Sequence, residues 1–135
     1  MVMVMVMVMV MATSAANHCR YCVAAHGAIL RIYEKKPLVA GQVTVNYRKA
    51  DITARQRAML DFAIKVCAAS RTPEDADVDA LPVHGFDNEN AWDIAAITAF
   101  FGLNNRMASF SGMQPKPEFY ALGGIAEAPK PGQSH

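Results

Sequence analysis

Residues 19–34 read CRYCVAAHGAILRIYE, and this stretch decides the fold class. Cys22, His26, Ile29, Leu30 and Tyr33 recur at spacings of three and four, which is the repeat of one helical face, so the segment predicts an α-helix from Cys19 to Glu34. Pro37 stops it, because proline supplies no N–H to a helical ladder. Proline is also favoured in a first helical turn, so Pro37 predicts the start of a short second helix through Leu38, Val39 and Val43. Strand signals are nearly absent, and only residues 43–47 alternate convincingly. Residues 46–51 then form a polar connection.

Further along the chain the helical signals repeat. Thr53 followed three residues later by Gln56 is a capping box, and Met59, Leu60, Phe62, Ala63, Val66 and Cys67 supply the apolar stripe of a helix ending near Ser70. Thr72, Pro73, Glu74 and Asp75 form another N-terminal signature with Pro73 in the first helical position, leading through Val78 and Leu81 to a stop at Gly85. Asp87 is a natural N-cap for the longest helix, from Glu89 to about Phe110, which is rich in Ala, Ile and Phe and holds Trp92. A helix apolar all round belongs at the centre of the domain or in a subunit interface. From Gly112 onward the prolines and glycines predict a tail that wraps the surface or frays. Together these signals predict one all-α domain over residues 1–135, a helical bundle.

Composition narrows the function. The 135 residues hold 13 Lys+Arg against 12 Asp+Glu, are 53% hydrophobic, and include only 7 Pro and 8 Gly. Those values exclude collagen-like, disordered and disulfide-scaffold classes. A formal net charge of +1 leaves no electrostatic footprint for nucleic acid or an anionic membrane, so neither is expected as a partner. Three cysteines, two of them close together, point to a reducing compartment and hence a cytoplasmic protein.

The first eleven residues alternate Met and Val without a break and contain six of the nine methionines. The run is too short for a transmembrane helix, which needs about 18–20 apolar residues, and it lacks the basic start of a secretory signal. Because both alternating residues are apolar, periodicity cannot separate strand from helix here. The repeat is read as a stand-in for an apolar segment of uncertain identity, or as an artificial addition.

The chemistry lies in residues 17–26, NHCRYCVAAH. On a helix Cys19 and Cys22 are i and i+3, and Cys22 and His26 are i and i+4, so the three side chains share one face. Helical i,i+3 Cα atoms are about 5–6 Å apart, within disulfide range, and a helix N-terminus favours thiolate. His26 can take a proton from Cys22 directly or through water, or as imidazolium stabilise the thiolate. A thiolate attacking a hydroperoxide becomes sulfenic acid, a neighbouring thiol condenses with it to a disulfide and water, and an external dithiol closes the cycle. No cofactor is required.

Other readings of the segment compete. A zinc site would use Cys19, Cys22 and His26, with His18 as a fourth ligand, but no second Cys pair exists and adjacent side chains diverge. Haem attachment needs His directly after the second cysteine, where Val23 stands, and a thioredoxin domain needs a strand-helix-strand setting. Two buried helix cysteines without chemistry remain an alternative. Cys67 on its helix's inner stripe is expected in the core. His84, before Gly85, suits a helix-end dipole interaction. Asn105 and Arg106 would orient the site or bind an anion, or belong to a helix-end hydrogen-bond network; His135 is terminal.

Read together, Cys19, Cys22 and His26 in a Cys-x-x-Cys-x-x-x-His pattern, in the wording Asn-His-Cys-Arg-Tyr-Cys-Val-Ala-Ala-His-Gly, resemble the alkylhydroperoxidase AhpD-like family of the carboxymuconolactone decarboxylase superfamily, especially its uncharacterised peroxidase-related branch. Residues 47–53, residues 77–81, Phe100-Phe101 and Asn105-Arg106 extend the resemblance over about residues 12–120. The resemblance implies an all-helical homo-oligomer in which Cys22 is peroxidatic, Cys19 resolving, and His26 part of a proton relay. It also implies a hydroperoxide substrate and a reductant of the lipoyl or thioredoxin type. The family's relay Glu, twelve residues before the first cysteine, falls on Met7 within the repeat. Tyr21 stands where better-studied members often place His, and relatives usually have additional N-terminal helices. The expectation is a thiol-dependent hydroperoxide reductase or disulfide oxidoreductase, with a carboxymuconolactone decarboxylase-like enzyme and an idle helical assembly protein as alternatives.

Overall fold

A computed structural model describes residues 3–70 and 72–122. Among these the chain is all-helical and has no strand: α1 (Met3–Ala16), α2 (Arg20–Glu34), α3 (Val39–Asn46), α4 (Ala54–Ala68), α5 (Asp75–Asp79), α6 (Asn88–Phe110) and α7 (Glu118–Ala121), with 3-10 turns at Tyr47–Lys49 and Pro82–His84.

From Met3 onward the Met-Val repeat is helical, and α1 is the centre of the bundle. α1 packs against α2, α3, α4 and α6. Alternating two apolar residues makes every face of a helix apolar, and such a helix is stable only when surrounded. Val8, Met9 and Val10 are fully buried with Leu30 of α2, Val39 and Val43 of α3, Met59 and Leu60 of α4, and Ile94 of α6. Each such side chain contributes about 1.5–3 kcal/mol by leaving water.

Of the two places expected for α6, the centre of the domain is taken by α1. α6 turns Ala91, Ile94, Thr98, Gly102, Asn105 and Ala108 inward. Its opposite face leaves Phe100, Leu103 and Met107 exposed, together with Trp92 at 79% and Phe110 at 87% exposure. The helix is therefore peripheral in this domain, with an apolar face left outside.

Local capping chemistry placed several boundaries well. The Gln56 N–H donates to Thr53 Oγ1 at 3.0 Å and the Thr53 N–H to Gln56 Oε1 at 2.9 Å, so α4 begins where the capping box puts it. Asp87 and Asn90 cap α6 by the same reciprocal bonds, at 2.8 and 3.0 Å.

Other boundaries moved. Neither proline begins a helix: Leu38 caps α3 and Glu74 caps α5. At α3 the burial of Val39, Ala40 and Val43 sets the start, and residues 43–46, alternating as a strand would, lie within that helix. At α5 the Glu74 N–H donates to the Asp77 carboxylate at 2.8 Å, so carboxylate capping overrides the preference for Pro73. The expected helix to Gly85 is broken after Asp79 and resumes only as the Pro82–His84 turn, which Gly85 ends in the left-handed region at φ 81°. Part of the Pro/Gly-rich tail forms α7, held to α2 by Arg31, whose guanidinium donates to the Phe119 and Leu122 carbonyls at 2.6 and 2.8 Å. The rest of that tail, with His135, lies outside the described residues.

Candidate functional site

The site begins at the corner where α1 ends. The His18 N–H donates to the Ala15 carbonyl at 3.0 Å and the Cys19 N–H to the Ser14 carbonyl at 2.9 Å, the paired bonds of a Schellman cap. The left-handed position of that motif, which normally takes glycine, is filled by His18 at φ 54°. Cys19 is at once the last residue of this cap and the N-cap of α2: its backbone is extended, and its sulfur accepts the Cys22 N–H at 3.3 Å. The expected helix therefore starts one residue later than Cys19, which stands at its entrance.

Cys19 and Cys22 are disulfide-bonded, with Cα atoms 5.3 Å apart. Both are buried, packed with Ala108 of α6 and flanked by Tyr21. His26 lies one turn further along α2, and among the described residues no hydrogen bond links it to either sulfur. Its Nδ1 is buried and has no hydrogen-bond partner among the described residues. Burial lowers the His26 pKa below its ordinary 6.5, so the ring is neutral near neutral pH. A neutral imidazole accepts a proton, which favours the base role over stabilisation of a thiolate by imidazolium.

A cavity of about 200 Å³ reaches this corner, lined by Cys19 with His18, Arg20, Tyr21, Ala108 and Met113 among others. A larger one of about 520 Å³ lies away from the thiols, where His84 sits with Arg48, Asp61, Lys65 and Asp77. The charges lining that larger cavity satisfy one another: Lys65 pairs with Asp77 at 2.7 Å, Arg48 with Asp61 at 3.6 Å, and the Tyr47 hydroxyl donates to Asp61 at 2.6 Å. Among the described residues no three His, Cys, Asp or Glu side chains gather where they could hold a metal ion. No described helix is long and apolar enough to cross a membrane.

Met7, at the relay position, is buried in the core cluster on α1. Cys67 is not a sealed core residue: it is half-buried, and its sulfur and the Asn17 side chain exchange contacts at 3.4 and 3.6 Å. Asn105 is a network residue, but at the end of α1 and not of its own helix. It accepts from Asn17 Nδ2 at 3.0 Å and donates to Ser14 Oγ at 2.9 Å. Arg106 turns back on its own helix, donating to the Gly102 carbonyl at 2.8 Å. Ser14 and Asn17 escaped the sequence reading. The available signal was the inward register Asn105 shares with Ile94, Thr98 and Ala108.

No protein-family model matches the chain, and no curated protein does. Solved structures do. The chain is 64% identical to a protein from Ralstonia eutropha described as alkylhydroperoxidase AhpD core, an uncharacterized peroxidase-related protein, with a TM-score of 0.90 over 94% of this chain and 67% of that one. It is 40% identical to an uncharacterized peroxidase-related protein from a Silicibacter species, with a TM-score of 0.86 over 89% of this chain and 63% of that one. The chain thus spans about two thirds of the length of each.

Proposed function

The chain belongs to the alkylhydroperoxidase AhpD-like family of peroxidase-related proteins, and from that premise we propose that it reduces hydroperoxides through Cys22, Cys19 and His26. The observation that supports this most is the pairing of Cys19 with Cys22 across the first turn of α2, with a neutral His26 one turn beyond.

In the proposed cycle His26 takes the Cys22 thiol proton, and the thiolate attacks the terminal oxygen of ROOH. The O–O bond breaks, Cys22 becomes sulfenic acid, and the departing alkoxide leaves as ROH with the proton held on His26. Cys19 then attacks the Cys22 sulfur, expelling the hydroxyl group as water and forming the disulfide. The Cys22 N–H on Cys19 Sγ and the positive end of α2 favour the thiolate this step needs. An external dithiol of the lipoyl or thioredoxin type attacks the disulfide, passes through a mixed disulfide, and leaves oxidised with both cysteines reduced. The protein works in a reducing compartment, the cytoplasm, and as a homo-oligomer through the outer face of α6.

The experiment is peroxide consumption by the two single variants and the double variant, with a sulfenic-acid probe. Cys22→Ser should abolish turnover, and Cys19→Ser should accumulate sulfenic acid at Cys22. Equal residual turnover in both would overturn these roles, and full turnover in the double variant would move the function to chemistry independent of thiols.

A further inference from the structure

We infer that Asn105 is a positioning residue for Cys19: from α6 it locks the corner between α1 and α2 and thereby holds the Cys19 sulfur on the N-terminal amide of α2. The inference rests on the thiol-peroxidase reading of the same site, but its test uses no peroxide.

Asn105 is 1% exposed, and its side-chain amide is used at both ends. Nδ2 donates to Ser14 Oγ at 2.9 Å, and Oδ1 accepts Asn17 Nδ2 at 3.0 Å. Ser14 and Asn17 are two anchors of the cap that delivers Cys19, since the Ser14 carbonyl accepts the Cys19 N–H at 2.9 Å and the Asn17 N–H donates to Thr13 at 3.0 Å. One side chain from a helix 88 residues away thus clamps both. A clamp is needed because the corner contains His18 at φ 54°, a conformation that L side chains keep only where their surroundings over-determine it. Asn17 is itself tied onward to Cys67 of α4, so the corner is fixed from two helices.

Cutting the clamp lets the corner relax away from His18's left-handed conformation. Cys19 then leaves its extended N-cap geometry, φ −84° and ψ 95°, and its sulfur loses the Cys22 N–H. A sulfur deprived of a helix N-terminal donor is less stable as thiolate, so Cys19 becomes less reactive at neutral pH.

The test is alkylation of the reduced protein by iodoacetamide across a pH series, with the modified cysteine identified by mass spectrometry, in wild type, Asn105→Ala, Ser14→Ala and Ile94→Ala. Asn105→Ala should move the midpoint for Cys19 upward and slow its alkylation near neutral pH by about fivefold. Ser14→Ala, which removes only the hydroxyl partner, should shift the profile in the same direction by less. Ile94→Ala, on the same inward face of α6, should lower stability and leave the Cys19 profile unchanged. Wild-type profiles in both Asn105→Ala and Ser14→Ala would overturn the inference, as would an equal shift in Ile94→Ala. If Asn105→Ala fails to fold, Ser14→Ala alone decides. A chain that shows the shift yet consumes no peroxide would sink the peroxidase reading and leave this one standing.

Discussion

The imidazole of His26 on α2 meets the ring of Phe101 on α6 edge to face, with ring centroids 5.2 Å apart. That contact belongs to the packing that keeps the half-buried histidine partly out of water, and desolvation in turn lowers its pKa below 6.5.

A pH dependence of stability follows. The folded-state pKa lies below the unfolded value, so unfolding takes up a proton. His26 therefore contributes fully above about pH 6.5, and that contribution is lost as pH falls through the folded value. Denaturant midpoints at about pH 8 and about pH 5 should differ more in wild type than in His26→Leu. An equal slope in the two proteins would rule out His26 as the group responsible.

The N-caps should be worth measurable stability. Thr53→Ala removes the acceptor of the Gln56 N–H and should cost about 1 kcal/mol in urea unfolding, while Thr53→Ser, which keeps the oxygen, should cost little. A loss of similar size in both would assign the effect to the Thr53 methyl group.

Two glycines should respond with opposite signs to the same substitution. A Cβ at Gly41 or Gly85 meets nothing within 4 Å, so only the backbone decides. Gly85→Ala forces alanine to φ 81° and should destabilise by about 1 kcal/mol. Gly41→Ala, inside α3, should stabilise by about 0.5–1 kcal/mol. Calorimetric melting temperatures moving the same way in both variants would contradict this account.

The outer face of α6 should govern assembly. Phe100, Leu103, Met107 and Phe110 lie exposed on it, an apolar surface of the kind that subunit contacts cover. Leu103→Glu should reduce the mass seen by sedimentation to that of the single 14.7 kDa chain, with helical content unchanged. A wild-type protein that already sediments as a single chain would remove the interface from the proposed function.

Much of the fold was legible because its signals are local. Thr53 with Gln56 and Asp87 with Asn90 mark helix starts within one turn, and a backbone N–H needs only a neighbour three residues away to be satisfied. The pairing of Cys19 with Cys22 was legible for the same reason. Helical arithmetic predicts Cα atoms about 5–6 Å apart for residues three positions apart, and Cys19 and Cys22 stand 5.3 Å apart although Cys19 is the N-cap and not a helical residue. Where two local signals compete, as Pro73 does with the Glu74–Asp77 cap, sequence alone could not rank them.

The sequence by itself thus determined that the chain is helical, roughly where its longer helices begin, and which two thiols pair. The tertiary structure decided what depends on which faces meet. It made the Met-Val helix α1 the centre, because only that helix is apolar on every side and so must be surrounded. It left α6 with one face inward and one apolar face outside. It also brought Asn105 across 91 residues to Ser14 and set the half-buried His26 edge to face against Phe101. Those contacts join residues far apart in the chain, and no spacing within one helix encodes which partner a neighbouring helix will present.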